Sequence, residues 1–331
     1  MRGVAAIAVL LHHAGPDLGR LPLMPSGYLA VDFFFMLSGF VLARTYEARF
    51  AAGLGPRAFL GLRLRRLWPL IAIGIVMSAA VAFGSGMPIG IVVALVLMQF
   101  AFVPLIQGEL GIYHLNDIQW SLLFELIANA SHAMFYRLSV GALAFAVALA
   151  LVALGFVAFH FGEVGVGDTG TNVLGGFPRV LFSYGVGVLI FRLRLAGSLH
   201  RVRLPALLTI VALPLSFAGA AAAKEMAPAW LVDMLVVSTL FPLLLIAGAN
   251  GVLADRLEAS ARLLGSLSYS LYATHVPVIW AMLLLGLPKG ASTLAIATAI
   301  ALALAYLLAL RFEPRTPGLF TRSRTIEPLR T

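Results

Sequence analysis

The sequence predicts an all-α polytopic membrane protein, with about ten transmembrane helices plus one re-entrant or half-buried segment. Three observations carry that reading. Hydrophobic residues make up 61% of the 331 residues and charged ones only 11%. The mean hydropathy is +0.99. Apolar runs of about twenty residues, enough for a helix to cross a bilayer core of about 30 Å, alternate with short polar loops. Peptide groups in lipid must be satisfied internally, and these runs are too long for barrel strands, so the spans are helices.

In chain order we place spans at about 2–15, 28–45, 67–84, 119–136, 139–160, 177–195, 204–222, 230–249, 266–287 and 291–311. The first is short because the sequence begins on it. The run at about 88–106 is apolar too, and charge arithmetic decides how it is treated. If it dips in and returns, 19 of the 23 Lys and Arg residues share one side with both termini, leaving Arg20, Arg179, Lys224 and Lys289 on the other. If it crosses, the division becomes 10 against 13. The positive-inside rule selects the first arrangement, with both termini cytoplasmic. Gly and Pro punctuate the outward loops, as at Gly15-Pro16 and Gly84 to Pro88. Residues 1–312 form one membrane domain, and 313–331 a basic cytoplasmic tail on which no fold is forced.

The net charge of +9 invites a nucleic-acid partner, but the basic residues sit in loops between spans and report orientation instead. No Cys is present, so there are no disulfides or thiolate sites, and the redox compartment is not readable. The first helix lacks a cleavage site of signal-peptide type. No Walker loop, G-x-S-x-G elbow, H-E-x-x-H or Cys/His spacing occurs, so no metal site is expected.

Four polar clusters interrupt the apolar spans. Arg2 and His13 lie eleven residues apart, hence on one helical face and about 16 Å apart along the axis. Intramembrane ionisable groups usually face a cavity or a partner. Asp32 sits in the outer part of the second span and needs a cationic or hydrogen-bonding partner. His13, close to the turn joining the first two helices, is a plausible one, and such a contact would fix the imidazole tautomer. Arg63 and Arg66, three apart at the entrance of the third span, face one way and suit a polyphosphate, although, taken alone, positive-inside anchoring is the favoured reading. Glu125 and Asn129 are i, i+4 neighbours inside a span, next to Trp120. Tyr272 and His275 are i, i+3, and Pro277 is expected to kink their helix and free backbone carbonyls.

Taken in order, these stretches resemble acyltransferase family 3, the integral-membrane enzymes that O-acylate bacterial surface and exported glycans. Arg2 to His13 matches the R-x10-H signature, which selects His13 over His12. Gly27 to Phe40 resembles G-x-x-x-V-D-x-F-F-x-x-S-G-F, Arg63 to Pro69 resembles R-x-x-R with R-x-x-P, Trp120 to Glu125 is similar to W-S-L-x-x-E, and Ser268 to His275 to S-Y-S-L-Y-x-x-H. The resemblance runs from residue 2 to about 311. Two departures stand out. The usual short leader before the Arg, commonly with Leu-Asp-Gly-Leu, is missing, which leaves open whether the natural start lies upstream of Met1. Ile127-Ala128-Asn129 replaces an aromatic pair after the Glu, as in a shorter subgroup. The SGNH hydrolase-like domain fused to some relatives is not expected here.

The resemblance implies transfer of an acyl group, usually acetyl, from cytoplasmic acyl-CoA (acetyl-CoA) to a hydroxyl of an extracytoplasmic glycan or glycolipid, in the bacterial inner membrane. It makes His13, Asp32 and Glu125 the catalytic candidates, with His13 as general base and Glu125 orienting it or binding the acceptor. Arg2, Arg63 and Arg66 are the donor-binding candidates, and Trp120, Asn129, Tyr272 and His275 the substrate-binding ones. The alternative is a secondary transporter using Arg2, His13, Asp32 and Glu125 as a relay, against which no inverted repeat is visible. Acceptor identity, acyl length, a covalent acyl-enzyme and oligomeric state are not legible.

Overall fold

A computed structural model describes residues 1–19, 23–199, 205–251 and 255–312. Arg20 and the basic tail at 313–331 therefore lie outside the described residues. The helices are α1 (Arg2–Ala14), α2 (Ala30–Ala51), α3 (Pro56–Gly84), α4 (Ile89–Phe100), α5 (Gln119–Phe135), α6 (Val140–Phe161), α7 (Gly176–Leu195), α8 (Ala206–Ala223), α9 (Ala229–Leu235), α10 (Phe241–Asn250), α11 (Asp255–Leu284) and α12 (Ala291–Phe312). A π-helical turn, Val236–Leu240, joins α9 to α10 as one rod. Among the described residues, seven rods are long and apolar enough to cross a membrane. The expected spans at 2–15, 119–136 and 204–222 form as the shorter helices α1, α5 and α8.

Two helices start well before their apolar runs. α3 begins at Pro56, a favourable first-turn residue, so Arg63 and Arg66 stand on the helix rather than in the loop before it. α11 begins at Asp255 rather than 266. In both, helix-forming polar residues extend the rod beyond the apolar stretch.

The doubtful run becomes α4, twelve residues or about 18 Å long, too short to cross. It runs back beside α3, bringing the Phe100 carbonyl to the Trp68 indole N–H at 3.4 Å. The non-helical return, 101–118, then meets the loop between α6 and α7: the Ile112 N–H donates to the Asp168 carbonyl at 2.8 Å and the Gly170 N–H to that of Leu110 at 3.0 Å. The return and the loop between α6 and α7 thus lie together on one loop-rich face. Irregular backbone inside a membrane protein has to be satisfied by protein groups. Gln99 and Gln119 do this: Gln99 Oε1 accepts from the Asn116 N–H at 3.2 Å, and Gln119 Nε2 donates to the Gln99 carbonyl at 2.6 Å.

Lipid accounts for the outer surface. Phe145, Leu149, Val152, Phe156 and Phe159 repeat at helical spacing along α6 and are all exposed, while Val147, Leu154 and Ala158 face inward. At the centre α2 packs on α7, and α1, α3 and α12 pack around α11. The α2–α7 crossing is close because glycines line it. A Cβ on Gly187 would stand 1.9 Å from the Met36 carbonyl oxygen, and one on Gly39 2.1 Å from that of Tyr184. Small residues that let backbones approach are how helices associate where lipid removes the hydrophobic drive.

Candidate active site

His13 ends α1, on the loop-rich side, against the middle of α11. Its Nδ1 lies 3.0 Å from His275 Nε2, with the rings stacked at 5.1 Å. His12, about 100° round the helix, turns elsewhere. It donates from Nδ1 to the Met24 carbonyl at 2.9 Å and so secures the turn into α2.

Pro277, inside the continuous helix α11, sets this level of the bundle. Pro277 has no N–H to offer the Ala273 carbonyl. The side-chain amide of Asn116 donates to that oxygen at 3.1 Å instead. Gly74 on α3 lets the same carbonyl approach, since a Cβ there would be 2.3 Å from it. One turn nearer the start of α11, the Tyr272 hydroxyl lies 2.7 Å from Ser121 Oγ. Ser121 spends its own hydrogen on the Ile118 carbonyl at 3.0 Å, so Tyr272 is the donor.

Asp32 does not meet His13. It is fully buried, and Arg179 on α7 grips it with Nε at 3.2 and 3.1 Å and Nη2 at 2.8 Å, while Ser183 Oγ donates to it at 3.2 Å. The same guanidinium donates to the carbonyls of Val166 and Tyr28, and its plane lies 5.2 Å from the Trp120 ring. A guanidinium offers full charge and a planar fork, against one N–H from an imidazole, and the glycine-lined crossing puts α7 within its reach. A second buried acid lies beyond: Tyr28 donates to Asp233 at 2.5 Å, and Lys224 reaches Tyr28 at 2.6 Å and Asp233 at 2.7 Å.

Glu125 lies toward the opposite face. Ser38 Oγ donates to its Oε1 at 2.6 Å and Arg63 Nη2 at 2.9 Å. It therefore joins α2, α3 and α5, and it is His275, not Glu125, that holds His13. Arg63 is only 6% exposed, whereas Arg66 is on the surface. The two stand about 60° apart around α3, and the boundary between core and surface falls between them. Asn129, one turn beyond Glu125, is fully buried with neither amide atom hydrogen-bonded.

A narrow crevice lies between them, lined by Arg2, Ser38, Ser121, Glu125, Ser268 and Tyr272 among others. It encloses about 450 Å³ counting its open mouth, and its wall ends one helical turn short of His275. Arg2, at the start of α1, stands at one end and the His13–His275 pair beyond the other. The crevice thus runs between α2, α5 and α11, with Arg2 the α1 residue in its wall, and the two imidazoles stand just beyond it.

Trp120, Tyr272 and His275 thus gather with His13 near the loop-rich side, and Arg2, Arg63 and Glu125 toward the other. Sequence reasoning missed Ser38, Tyr28, Ser183 and Asp233, and took Arg179 and Lys224 only as markers of orientation. The available signal was the rule that a buried carboxylate needs a cation, applied to every ionisable residue near a span.

The family profile described as an acyltransferase domain matches residues 1–310. Over 153 residues, 40% of this chain and 78% of the relative, the chain is 35% identical to a protein of Rhizobium radiobacter called protein 2 in the picA locus. No solved structure matches it.

Proposed function

Since the chain belongs to acyltransferase family 3 and is a multi-pass membrane O-acyltransferase, we propose that its donor is acyl-CoA, its acyl group acetyl, and its acceptor a hydroxyl of a glycan or glycolipid. The observation that supports this is the crevice between α2, α5 and α11, which has Arg2 in its wall and ends one helical turn short of His275. Arg2, with Arg63 and Arg66 on the same side of the bundle, forms a basic end suited to the phosphates of CoA. The length of α1, about 18 Å from Arg2 to Ala14, is comparable to an extended phosphopantetheine arm. The arm's thioester then arrives below His13.

His13 is the general base in this reading. The acceptor hydroxyl oxygen attacks the thioester carbonyl as His13 takes the hydroxyl proton. The carbon–sulfur bond breaks, and the imidazolium returns the proton to the departing CoA thiolate. Glu125 holds Arg63 at the crevice wall, Asp32 clamps Arg179 under Trp120, and Tyr272 and His275 shape the end where the acceptor hydroxyl enters. Asn129 supplies polar groups beside the donor route.

The site lies in a bacterial inner membrane with both termini cytoplasmic, an orientation supported by the 19-to-4 division of Lys and Arg. The basic end then faces the compartment that holds CoA. The test is transfer of label from [14C]acetyl-CoA to envelope glycan in membranes containing the chain. Absence of any CoA-dependent transfer refutes the donor assignment, and a reporter fused after Thr331 that reads as extracytoplasmic refutes the orientation.

A further inference from the structure

The hydrogen positions on the two stacked imidazoles follow from what each nitrogen touches. His275 Nδ1 lies 2.8 Å from the Tyr272 carbonyl oxygen and 3.2 Å from that of Leu271. Carbonyl oxygens only accept, so Nδ1 of His275 carries a hydrogen. His275 is 1% exposed, and no carboxylate bonds to it among the described residues, so an imidazolium there would be an uncompensated charge inside the membrane. The ring is neutral, and its single hydrogen is already on Nδ1. Its Nε2 can therefore only accept, and the nitrogen 3.0 Å away is His13 Nδ1. His13 consequently donates from Nδ1, toward His275 with the Val9 carbonyl one turn back as a second acceptor, and its lone pair is left on Nε2.

We infer that His275 is a positioning residue that fixes His13 in the Nδ1–H tautomer, with Nε2 as the basic nitrogen. This rests on His13 being the base of the proposed reaction and names the group that orients it. In many hydrolases a carboxylate has that role. Here a neutral imidazole does it, anchored by carbonyls of its own helix. A carboxylate at this depth would need a cation of its own, as Asp32 does. The ring is held from several sides: Tyr272 packs at 5.9 Å, Asn116 pins the carbonyl freed by Pro277, and Gly74 brings α3 against the same turn.

Three substitutions separate positioning from packing and from proton relay. In His275→Gln the side-chain amide reaches the place of Nε2, and its oxygen accepts the His13 hydrogen. In His275→Asn the amide stops at the level of Nδ1. His275→Leu fills space and accepts nothing. With the full chain in membrane vesicles, [14C]acetyl-CoA and endogenous envelope glycan, and protein levels matched, Gln should keep kcat within about threefold. Asn and Leu should lose about 10- to 100-fold, the scale of one orphaned buried donor. KM for acetyl-CoA should stay within about twofold in all three, because His275 touches His13 and not the donor. Solid-state 15N NMR, with the His13 signal identified by its loss in His13→Ala, should show the Nδ1–H form in wild type and in His275→Gln, and a lower Nδ1–H fraction in His275→Leu, where the Val9 carbonyl is the acceptor that remains.

Gln as impaired as Leu would mean that the second imidazole itself carries the proton, and Leu as active as wild type would mean that it only packs. Either result overturns the inference, as does an Nε2–H signal for His13 in wild type. If His275→Leu fails to accumulate, the contrast between Gln and Asn separates positioning from relay in its place. Wild-type membranes with no CoA-dependent transfer would refute the acyl-CoA reading instead, while the NMR result would still decide whether His275 sets the tautomer.

Discussion

Replacing Asp32 by Asn keeps its volume and removes its charge, which isolates what the pair with Arg179 contributes. The carboxylate is 0% exposed and the guanidinium 2%, with a shortest contact of 2.8 Å. At an effective dielectric of about 20 and charge centres about 4 Å apart, the attraction is about 4 kcal/mol. Breaking a buried pair from one side costs about 3–5 kcal/mol, because the remaining ion has neither water nor counter-charge. The loss should be large here, since the two other groups Arg179 bonds are carbonyls, which cannot replace a negative charge. Thermal unfolding of purified protein should therefore show Asp32→Asn destabilised by about 3–5 kcal/mol. Asp32→Asn/Arg179→Gln should be less destabilised than the sum of the single variants, with a coupling of about 2 kcal/mol or more. Arg179→Lys should not substitute, because an ammonium cannot grip Asp32 and bond two carbonyls in one plane. Asp32 contacts neither histidine, so Asp32→Asn should regain turnover at temperatures where it is folded. Strictly additive losses would refute the clamp, and a folded but inactive Asp32→Asn would put the carboxylate back in the chemistry.

His13→Ala should lower turnover by about 10² to 10⁴, the range for a positioned proton acceptor, whereas His12→Ala should lower only thermal stability, since its ring secures the Met24 carbonyl. Near-normal transfer by His13→Ala in membranes with matched protein would end the imidazole-base mechanism. Arg66→Ala, on the surface of α3, should weaken acetyl-CoA binding by about 1.5–3 kcal/mol with little change in melting temperature, while Arg63→Ala should lower both because it strips a partner from Glu125. Calorimetric titration alongside melting curves checks this. Asp117, in the connection before α5, has its carboxyl pushed up to about 6 by burial, with Asp168 and Asp17 adding repulsion against its backbone hydrogen bonds. Because the folded state holds this proton more tightly than the unfolded chain, the contribution of Asp117 to stability declines as pH rises from about 4 to about 6. Asp117→Asn should flatten that part of the stability–pH curve and raise the melting temperature at pH 7, and a variant whose curve keeps the wild-type slope would contradict it.

Composition and periodicity determined that this chain is a bundle of membrane helices, because a span must be continuously apolar over a length fixed by the bilayer. The same reasoning recovered the short excursion at α4, since charge in the loops is counted without knowing any contact. Arg2 and His13 were legible as one face because helical spacing is local. What each polar group binds was not. Asp32 takes Arg179, from 147 residues away, and His13 takes His275, from 262 residues away. Those choices depend on which helices cross closely, and that is decided by glycines such as Gly39 and Gly187 meeting backbone on a neighbour. Arg63 and Arg66 look alike on a helical wheel, yet packing buries one against Glu125 and leaves the other at the surface. The sequence by itself determined the fold class, the approximate places of the apolar helices and their orientation-marking charges, because those follow from each segment's own balance with lipid and water. Only the tertiary structure decided the pairing of the buried charges and the tautomer of His13, because a proton or a counter-ion is placed by the nearest atoms in space, whatever their distance along the chain.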